Sequence, residues 1–475
     1  MPPSRSDDSA VAQTDAGQGH GLAPGAWKII CVAAIGSFMA QLDATIVNVS
    51  LTSLARDLQA SLGTIQWVMS GYLLALALAL PLNGRLVDRI GSRAVYLWCF
   101  AAFTLSSALC SGAWSAGSLI AFRVLQGMSG GLLAPMAQMM VARVAGRQMP
   151  RVAGLMTMPV LLAPLLGPVV AGALLHVASW RWLFVINLPV GGIAFLLAAR
   201  ALPHDHAERR PRSLDLAGLA TLSPALVLFL YAADHVGTHS GDAIMIASLI
   251  LFGSYVHLAR RKGGDALIDL RLLNNRPFRS AAGSMFLMNC VSFGGQMLIP
   301  IYLIDGCGLS PGRTGLLLAP LALGMMCTYP FMGRLTAHFG IRRLTGYGAV
   351  VALAGTVPLA FMAHGHLVVA GLLAALFLRG IGISAIGVPA MSAGYMAVPK
   401  RDLPMATTAL NIVQRLGGPT GTTLCAAALG WHFSPAAHGH PADALVAAFI
   451  ILCGLHGLLV FATRRLPPVL PAASS

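Results

Sequence analysis

The sequence predicts an all-α integral membrane protein with fourteen transmembrane helices, arranged as two six-helix bundles with two extra helices between them. Three observations predict this fold class: apolar runs recur along the whole chain, basic residues alternate between its loops, and one loop motif occurs twice. Of the 475 residues, 56% are hydrophobic and only 10% are charged, whereas about a quarter of the residues in a soluble globular protein carry a charge. This composition excludes an ordinary soluble domain.

Apolar runs of about 18 residues or more can cross the hydrocarbon core of a bilayer as helices. Reading these runs between charged breaks places the spans at 26–48, 64–83, 94–112, 117–141, 152–175, 182–201, 214–233, 243–259, 280–304, 314–333, 344–363, 368–397, 404–430 and 443–462. The polar segment 1–25 is predicted to be a disordered tail without the features of a signal peptide. An even number of spans places both termini on the same side.

The distribution of basic residues supports this count. Of the 31 lysines and arginines, 25 fall in segments predicted to be cytoplasmic or at the cytoplasmic ends of spans, three in outer segments and three deep inside spans. Such a bias follows the positive-inside rule, so both termini are predicted to lie in the cytoplasm. The net charge of +15 therefore reflects membrane topology, and no nucleic-acid partner is predicted.

A loop motif at 84–93 recurs at 333–342. Two spans beyond each copy lies an intramembrane arginine, Arg123 or Arg379. Parallel repeats of this size build two halves around a central site. The chain is therefore divided into a cytoplasmic tail (1–25), a first six-helix bundle (26–201), a linker with two extra helices (202–279), a second six-helix bundle (280–463) and a second tail (464–475). The extra helices hold no intramembrane charge and are predicted to be peripheral.

Asp43 is the acid that lies deepest within a predicted span. A carboxylate in hydrocarbon is costly, so Asp43 is expected to face the interior of the bundle and to take up and release a proton. A structural acid held by an arginine or a hydroxyl is the alternative. Arg123, in the fourth span, is either a structural counter-ion or a residue that modulates the proton affinity of Asp43.

Two further motifs point to conformational change. The loop between spans two and three is predicted to act as a gate through Gly84, Asp88, Arg89, Gly91 and Arg93. Its glycines permit a tight turn, and its acid can cap a helix start or pair with arginine; membrane anchoring alone is the alternative. The second copy lacks this acid and is predicted to be structural. In span five, a hinge or close helix packing is predicted from Pro164, Gly167, Pro168 and Gly172.

Polar residues in other spans are candidates for lining a central cavity, with interhelical hydrogen bonding as the alternative: Asn48, Gln126, Asn289, Gln296, Asn411, Gln414 and Arg415. Histidines in the outer loops lack nearby acids or cysteines, so no metal site is predicted. The sequence has no phosphate-binding loop of the ATPase type and no cluster of catalytic residues. It therefore predicts no enzyme and no cofactor, with energy drawn from an ion gradient, a partner ATPase or the gradient of the substrate.

The segments 42–49, 84–93, 123–131, 163–172 and 180–189 resemble motifs of the major facilitator superfamily, in particular its fourteen-span drug:proton antiporter branch. The resemblance covers residues 28–463, although the fifth-span motif has two alanines where the branch has glycines. It implies the major facilitator fold and proton-coupled export of hydrophobic, often cationic, compounds. It assigns Asp43 and Arg123 to proton coupling, and Asp88, Arg89 and Arg93 to gating.

The resemblance also implies a multi-pass protein of the bacterial inner membrane that moves small molecules, contacts membrane lipid and functions as a monomer. Some Gram-negative members of the branch deliver substrate to a periplasmic adaptor and an outer-membrane channel, and such partners are left open here. An exporter specific for a metabolite, siderophore or peptide is one alternative function, and a non-transporting sensor is another. Because the second half has Arg379 and Arg415 but no acid inside a span, neutral or anionic cargo is favoured over dications.

Overall fold

The structure is a computed structural model that describes residues 25–203, 215–235, 237–432 and 441–468. Within these ranges the chain is helical apart from short connections and has no β-strand, which confirms the all-α fold class. The first half contains α1 (Ala26–Ile46), α2 (Leu51–Asp57), α3 (Leu62–Ala79), α4 (Leu82–Ile90), α5 (Ser92–Ser111), α6 (Ala116–Ala145), α7 (Met149–Val177), α8 (Trp182–Val185) and α9 (Asn187–Ala201).

The middle of the chain and the second half continue this helical pattern. Two helices lie between the halves, α10 (Leu216–Asp234) and α11 (His239–Lys262). The second half contains α12 (Arg276–Ile301), α13 (Pro311–Thr328), α14 (Met332–Ala354), α15 (Val357–His364), α16 (Val369–Met396), α17 (Leu403–His432) and α18 (Pro441–Thr463). The predicted tails lie outside the described residues except for Gly25 and positions 464–468, as does the part of the predicted linker at 204–214.

Side-chain caps determine where several helices begin. Each capping oxygen accepts a hydrogen bond from a backbone N–H in the first turn, which would otherwise lack a partner inside the helix. The capping residues are Ser61 for α3, Ser115 for α6, Thr238 for α11, Asn275 for α12 and Ser310 for α13. Helix starts in this protein are therefore set by local sequence.

Eleven segments of the described residues are long and apolar enough to cross a membrane. Two of the predicted spans, 314–333 and 344–363, fall together in one of these segments, Gly312–His364. The predicted spans at 152–175 and 404–430 coincide with α7 and α17 but are not among the eleven. The structure therefore supports a polytopic helical membrane protein, and the count of fourteen stays a prediction.

The two extra helices differ in their contacts. Helix α10 packs against α3 of the first half and α17 of the second half, and the Ser223 hydroxyl donates a hydrogen bond to the Leu78 carbonyl of α3 at 3.0 Å. Helix α11 packs mainly against α10 and leaves most of its apolar surface exposed. Helix α10 therefore contacts both halves, which the sequence could not show because the charge pattern of a helix does not report its neighbours. The peripheral position of the two helices stays a prediction.

The segment 263–275, which we call the linker strap, connects α11 to the second half and lies against both halves. Its residues Ala266 and Leu267 are buried. Arg85 of α4 donates a hydrogen bond to the Ala266 carbonyl, and the Asn275 side chain donates one to the Ala397 carbonyl at 2.7 Å. The strap therefore ties the predicted gating segment of the first half to the second half.

Asp215, at the start of α10, holds the strap in place. Its carboxylate accepts hydrogen bonds from Lys262 Nζ at 2.5 Å, and from the Leu267 and Gly218 backbone N–H groups at 2.9 Å. Burial alone would raise the pKa of this carboxyl, but the hydrogen bonds outweigh burial and lower the pKa from its ordinary value of 3.8. The contribution of Asp215 to stability is therefore complete above pH 3.8 and is lost as the pH falls through the lowered pKa.

Replacing Asp215 by alanine is expected to loosen the linker strap, because three hydrogen-bond donors, Lys262 Nζ and the Leu267 and Gly218 N–H groups, lose their acceptor. The expected loss of about 1–3 kcal/mol corresponds to amide hydrogen exchange about 5- to 150-fold faster in residues 263–275. Asp265→Ala changes an exposed acid of the same segment and is the matched control. Equal exchange rates in the two variants would contradict this role of Asp215.

Candidate functional site: a buried carboxylate–arginine cluster

Asp43 lies near the end of α1, where the helix continues as a 3-10 turn at Val47–Ser50. The Thr45 hydroxyl donates to the Leu42 carbonyl at 2.9 Å and lies 3.3 Å from the Ala163 carbonyl of α7. A Cβ atom on Gly167 would lie 2.5 Å from that hydroxyl, so glycine allows α7 to contact α1 here. This contact favours the close-packing interpretation of Gly167 over the hinge.

The Asp43 carboxylate is completely buried. Its Oδ2 atom accepts a hydrogen bond from Arg123 Nη1 at 2.5 Å, and its Oδ1 atom accepts hydrogen bonds from Gln126 Nε2 at 3.0 Å and from Asn187 Nδ2 at 2.7 Å. The two carboxylate oxygens thus accept hydrogen bonds from three donors, which suits an ionised carboxylate because that form only accepts hydrogen bonds. The structure therefore brings Asp43 and Arg123 together as a buried ion pair.

Arg123 is held by contacts on several sides. Its Nε atom donates to the Val68 carbonyl of α3 at 3.2 Å, and its Nη1 atom also donates to Gln126 Oε1 at 2.7 Å. The guanidinium carbon lies 4.1 Å from the centre of the Tyr72 ring and 5.7 Å from that of Phe184, distances at which cation–π attraction operates. These contacts fix the cation whether or not Asp43 carries its charge.

Two residues of this cluster are absent from the sequence-based candidates. The Ser107 hydroxyl of α5 accepts hydrogen bonds from Gln126 Nε2 at 2.6 Å and from Asn187 Nδ2 at 3.3 Å. Asn187 lies in the motif-like segment 180–189, which was a usable signal, whereas a serine in an apolar span gave none. Gln126, predicted to line a cavity, lies instead in the Asp43 cluster and is fully buried.

The predicted gating loop is mostly a helix. Residues 82–90 form α4, and only Gly91, with φ of +91°, has the backbone conformation that favours glycine. Gly84 makes no turn, since it lies inside α4 against Pro404 and Met405 of α17; the turn permitted by the glycines is at Gly91. Asp88 also lies inside α4.

The outer positions of this motif differ in their contacts. Arg89 is exposed. Arg93 Nη2 donates a hydrogen bond to the Ala199 carbonyl of α9 at 2.6 Å. Arg93 therefore ties the start of α5 to the last helix of the first half.

The two halves touch at the end of the bundle that carries the segments 84–93 and 333–342, which we call the basic end. A Cβ atom on Gly154 of α7 would lie 2.5 Å from the Tyr329 carbonyl. Gln138 Oε1 of α6 accepts hydrogen bonds from the Tyr395 hydroxyl and from Asn411 Nδ2, both at 2.9 Å. The structure therefore has its halves in contact at the basic end, and Gln138 is a further residue that the sequence did not single out.

The second half repeats the arginine but not the ion pair. Arg379 is buried and donates hydrogen bonds to the Thr356 hydroxyl and the Val291 carbonyl. The Thr356 hydroxyl is 3.4 Å from Nε2 of His456, a buried residue of α18. No carboxylate of the described residues contacts Arg379.

The other candidate residues do not form one site. Asn48 and Gln296 are exposed, and Asn289 Nδ2 donates to the Met285 carbonyl of its own helix at 2.9 Å. Gln414 lies 3.6 Å from the Met285 sulfur. Gly172 has no atom near the position of a Cβ, and Pro164 and Pro168 lie in α7, with side chains outside the described set. Among these candidates, Asn411 contacts the other half through Gln138.

Comparisons with known proteins agree with this architecture. Residues 33–422 match the Major Facilitator Superfamily. The chain is 32% identical over 413 residues to a multidrug resistance protein B homolog of Mycobacterium tuberculosis, covering 85% of this chain and 76% of the relative. It is 34% identical over 326 residues to the putative multidrug resistance protein MdtD of Yersinia enterocolitica, covering 66% of this chain and 67% of the relative.

Solved structures share the fold at low sequence identity. The human organic anion transporter MFSD10 matches with a TM-score of 0.64 and 17% identity, over 92% of this chain and 99% of that one. The proton:xylose symporter XylE matches with a TM-score of 0.63 and 14% identity, over 93% of this chain and 95% of that one. At these identities the likeness concerns the fold alone. Together with the sequence matches, it shows that this chain belongs to the major facilitator superfamily.

Proposed function

We propose that the protein is a proton-coupled secondary exporter of small amphipathic or hydrophobic compounds that works by alternating access. The observation that carries the proposal is the buried Asp43–Arg123 pair, in a chain whose relatives are multidrug resistance proteins. A buried carboxylate inside a membrane bundle indicates a functional site, and proton transfer is one established use of such acids. A protein of this fold that does not transport, such as a sensor, would not need such a pair.

Protonation of Asp43 provides a physical link between the proton and the conformation. Oδ2 accepts the Arg123 N–H at 2.5 Å, and a proton on Oδ2 would occupy the same space. The acid is then neutral, the ion pair is lost, and the contact between α1 and α6 weakens. Proton release restores the pair and the conformation in which the halves touch at the basic end.

The remaining parts of the proposal follow from the resemblance and the charge distribution. We infer fourteen spans, both termini in the cytoplasm and a bacterial inner-membrane location, which fit the bias of the basic residues. The transporter uses the proton gradient without a bound cofactor and functions as a monomer in contact with lipid. Whether a periplasmic adaptor and an outer-membrane channel receive the cargo is decided by co-purification from Gram-negative cells. An exporter specific for one metabolite, siderophore or peptide is the second candidate.

Replacing Asp43 by asparagine is expected to abolish uphill transport and to leave substrate exchange intact, because asparagine keeps the shape of the site but cannot carry a proton. A drug-susceptibility panel of cells with and without the gene first identifies a cargo. Proteoliposomes under an imposed pH gradient then measure its accumulation and its exchange at equal pH.

The matched control is Asp57→Asn, which changes an acid of the same half that is 53% exposed and paired with Arg181. This variant is expected to accumulate cargo as the unaltered protein does. Accumulation of cargo by Asp43→Asn would show that another group carries the proton. A panel in which only one compound responds would favour the specific exporter.

A further inference from the structure

Arg415 is an intramembrane cation that has no partner among the described residues. It lies in the middle of α17 (Leu403–His432) and is only partly buried. No hydrogen-bond acceptor, carboxylate or aromatic ring of the described ranges contacts its guanidinium. A charge held inside a membrane bundle without a protein partner faces water or a ligand.

The geometry of α17 shows where this cation points. Asn411 lies one helical turn before Arg415 and therefore on the same face, and its side chain contacts Gln138 of the first half. Arg415 also lies in the neighbourhood of Tyr72, whose ring covers Arg123. Arg415 is therefore directed at the first half, beyond the basic-end contacts. Its side chain is also partly exposed, unlike the fully buried Arg123 and Arg379.

The other two intramembrane arginines are not available to a ligand. Arg123 is 1% exposed and paired with Asp43. Arg379 is also 1% exposed, and its guanidinium donates to the Thr356 hydroxyl and the Val291 carbonyl. The preference for neutral or anionic cargo, first inferred from both arginines of the second half, therefore depends on Arg415 alone.

We propose that Arg415 binds the anionic group of the cargo, so that the transporter exports amphipathic organic anions such as carboxylates and sulfonates. The planar guanidinium can donate two parallel hydrogen bonds to either group. The apolar part of the cargo lies in the space between the halves. This inference rests on the proposed exporter function and specifies the substrate class of its central site.

A matched pair of probes separates charge recognition from apolar binding. The sulfonate 8-anilinonaphthalene-1-sulfonate and the neutral N-phenyl-1-naphthylamine share one aromatic skeleton, and both fluoresce when bound. Each is titrated against the full chain in lipid nanodiscs, with empty nanodiscs as background. The unaltered protein is expected to bind the sulfonate more tightly. Arg415→Gln should weaken sulfonate binding about tenfold or more, since a hydrogen bond to a charged group is lost, and should leave the neutral probe unchanged.

Two further variants make the result specific. Arg415→Lys keeps the charge and should retain part of the preference, whereas Arg464→Gln removes one positive charge at an exposed position and should retain all of it. The proposal is overturned if the unaltered protein does not favour the sulfonate, or if Arg415→Gln weakens both probes equally. Binding is measured without a pH gradient, so failure of Asp43 as the proton carrier leaves this result intact and is detected separately.

Discussion

Replacing Arg123 by methionine is expected to lower the free energy of unfolding by about 3–5 kcal/mol, because the completely buried charge of Asp43 loses its counter-ion. Methionine fills part of the same volume, so the loss reflects charge and not a cavity. Only the amides of Gln126 and Asn187 would then face the carboxylate, and neither carries a positive charge. Denaturant titration of the purified protein in mixed micelles measures the effect.

An exposed ion pair of the same half supplies the control. Arg181 and Asp57 are 40% and 53% exposed and 3.2 Å apart, and Arg181→Met is expected to cost no more than about 1 kcal/mol. The double variant Asp43→Asn/Arg123→Met removes both charges and should regain most of the stability lost in the single variant. A loss for Arg123→Met no larger than that for Arg181→Met would contradict the buried pair.

Replacing Gly84 by valine is expected to reduce transport severely by separating the halves at the basic end. A Cβ atom on Gly84 would lie 3.3 Å from the Met405 Cα atom and the Pro404 carbonyl oxygen of α17, and the two methyl groups of valine would extend further. Overpacking of this kind costs about 1–3 kcal/mol, which shifts a two-state equilibrium about 5- to 150-fold. The conformation in which α4 contacts α17 would lose most of its population.

Spin labels report this shift directly. Labels at Ile90 and Arg401, in a background without the eight native cysteines, measure the separation of the halves by pulsed electron resonance. The distance distribution should move to longer values in Gly84→Val. Gly253→Val in α11 meets no atom within 4 Å and should change neither the distance nor the transport rate. An unchanged distribution in Gly84→Val would remove α4 from the gate.

The linker strap gives the predicted gate a second anchor. Arg85, one residue after Gly84, donates its hydrogen bond to Ala266 of the strap, and the Asp269 backbone N–H lies 3.1 Å from the sulfur of Met405. Separation of α4 from α17 therefore has to disturb the strap. We expect the extra helices to influence the conformational equilibrium even though they contribute no charged residue to the Asp43 cluster.

The sequence alone determined the all-α membrane class and the repeat, and it singled out Asp43 and Arg123 as intramembrane charges. These features depend on local properties: the length of an apolar run, and the cost of any charge inside it. Only the tertiary structure showed which residues and helices contact each other. Asn187 lies 144 residues from Asp43 in the chain, and α10 contacts both halves. Contacts of this kind depend on how each helix is rotated and crossed against its neighbours, which hydropathy does not encode. Hydropathy likewise cannot distinguish Arg379 from Arg415. Only the tertiary structure shows that Arg379 is held by hydrogen bonds, whereas Arg415 is available to a ligand.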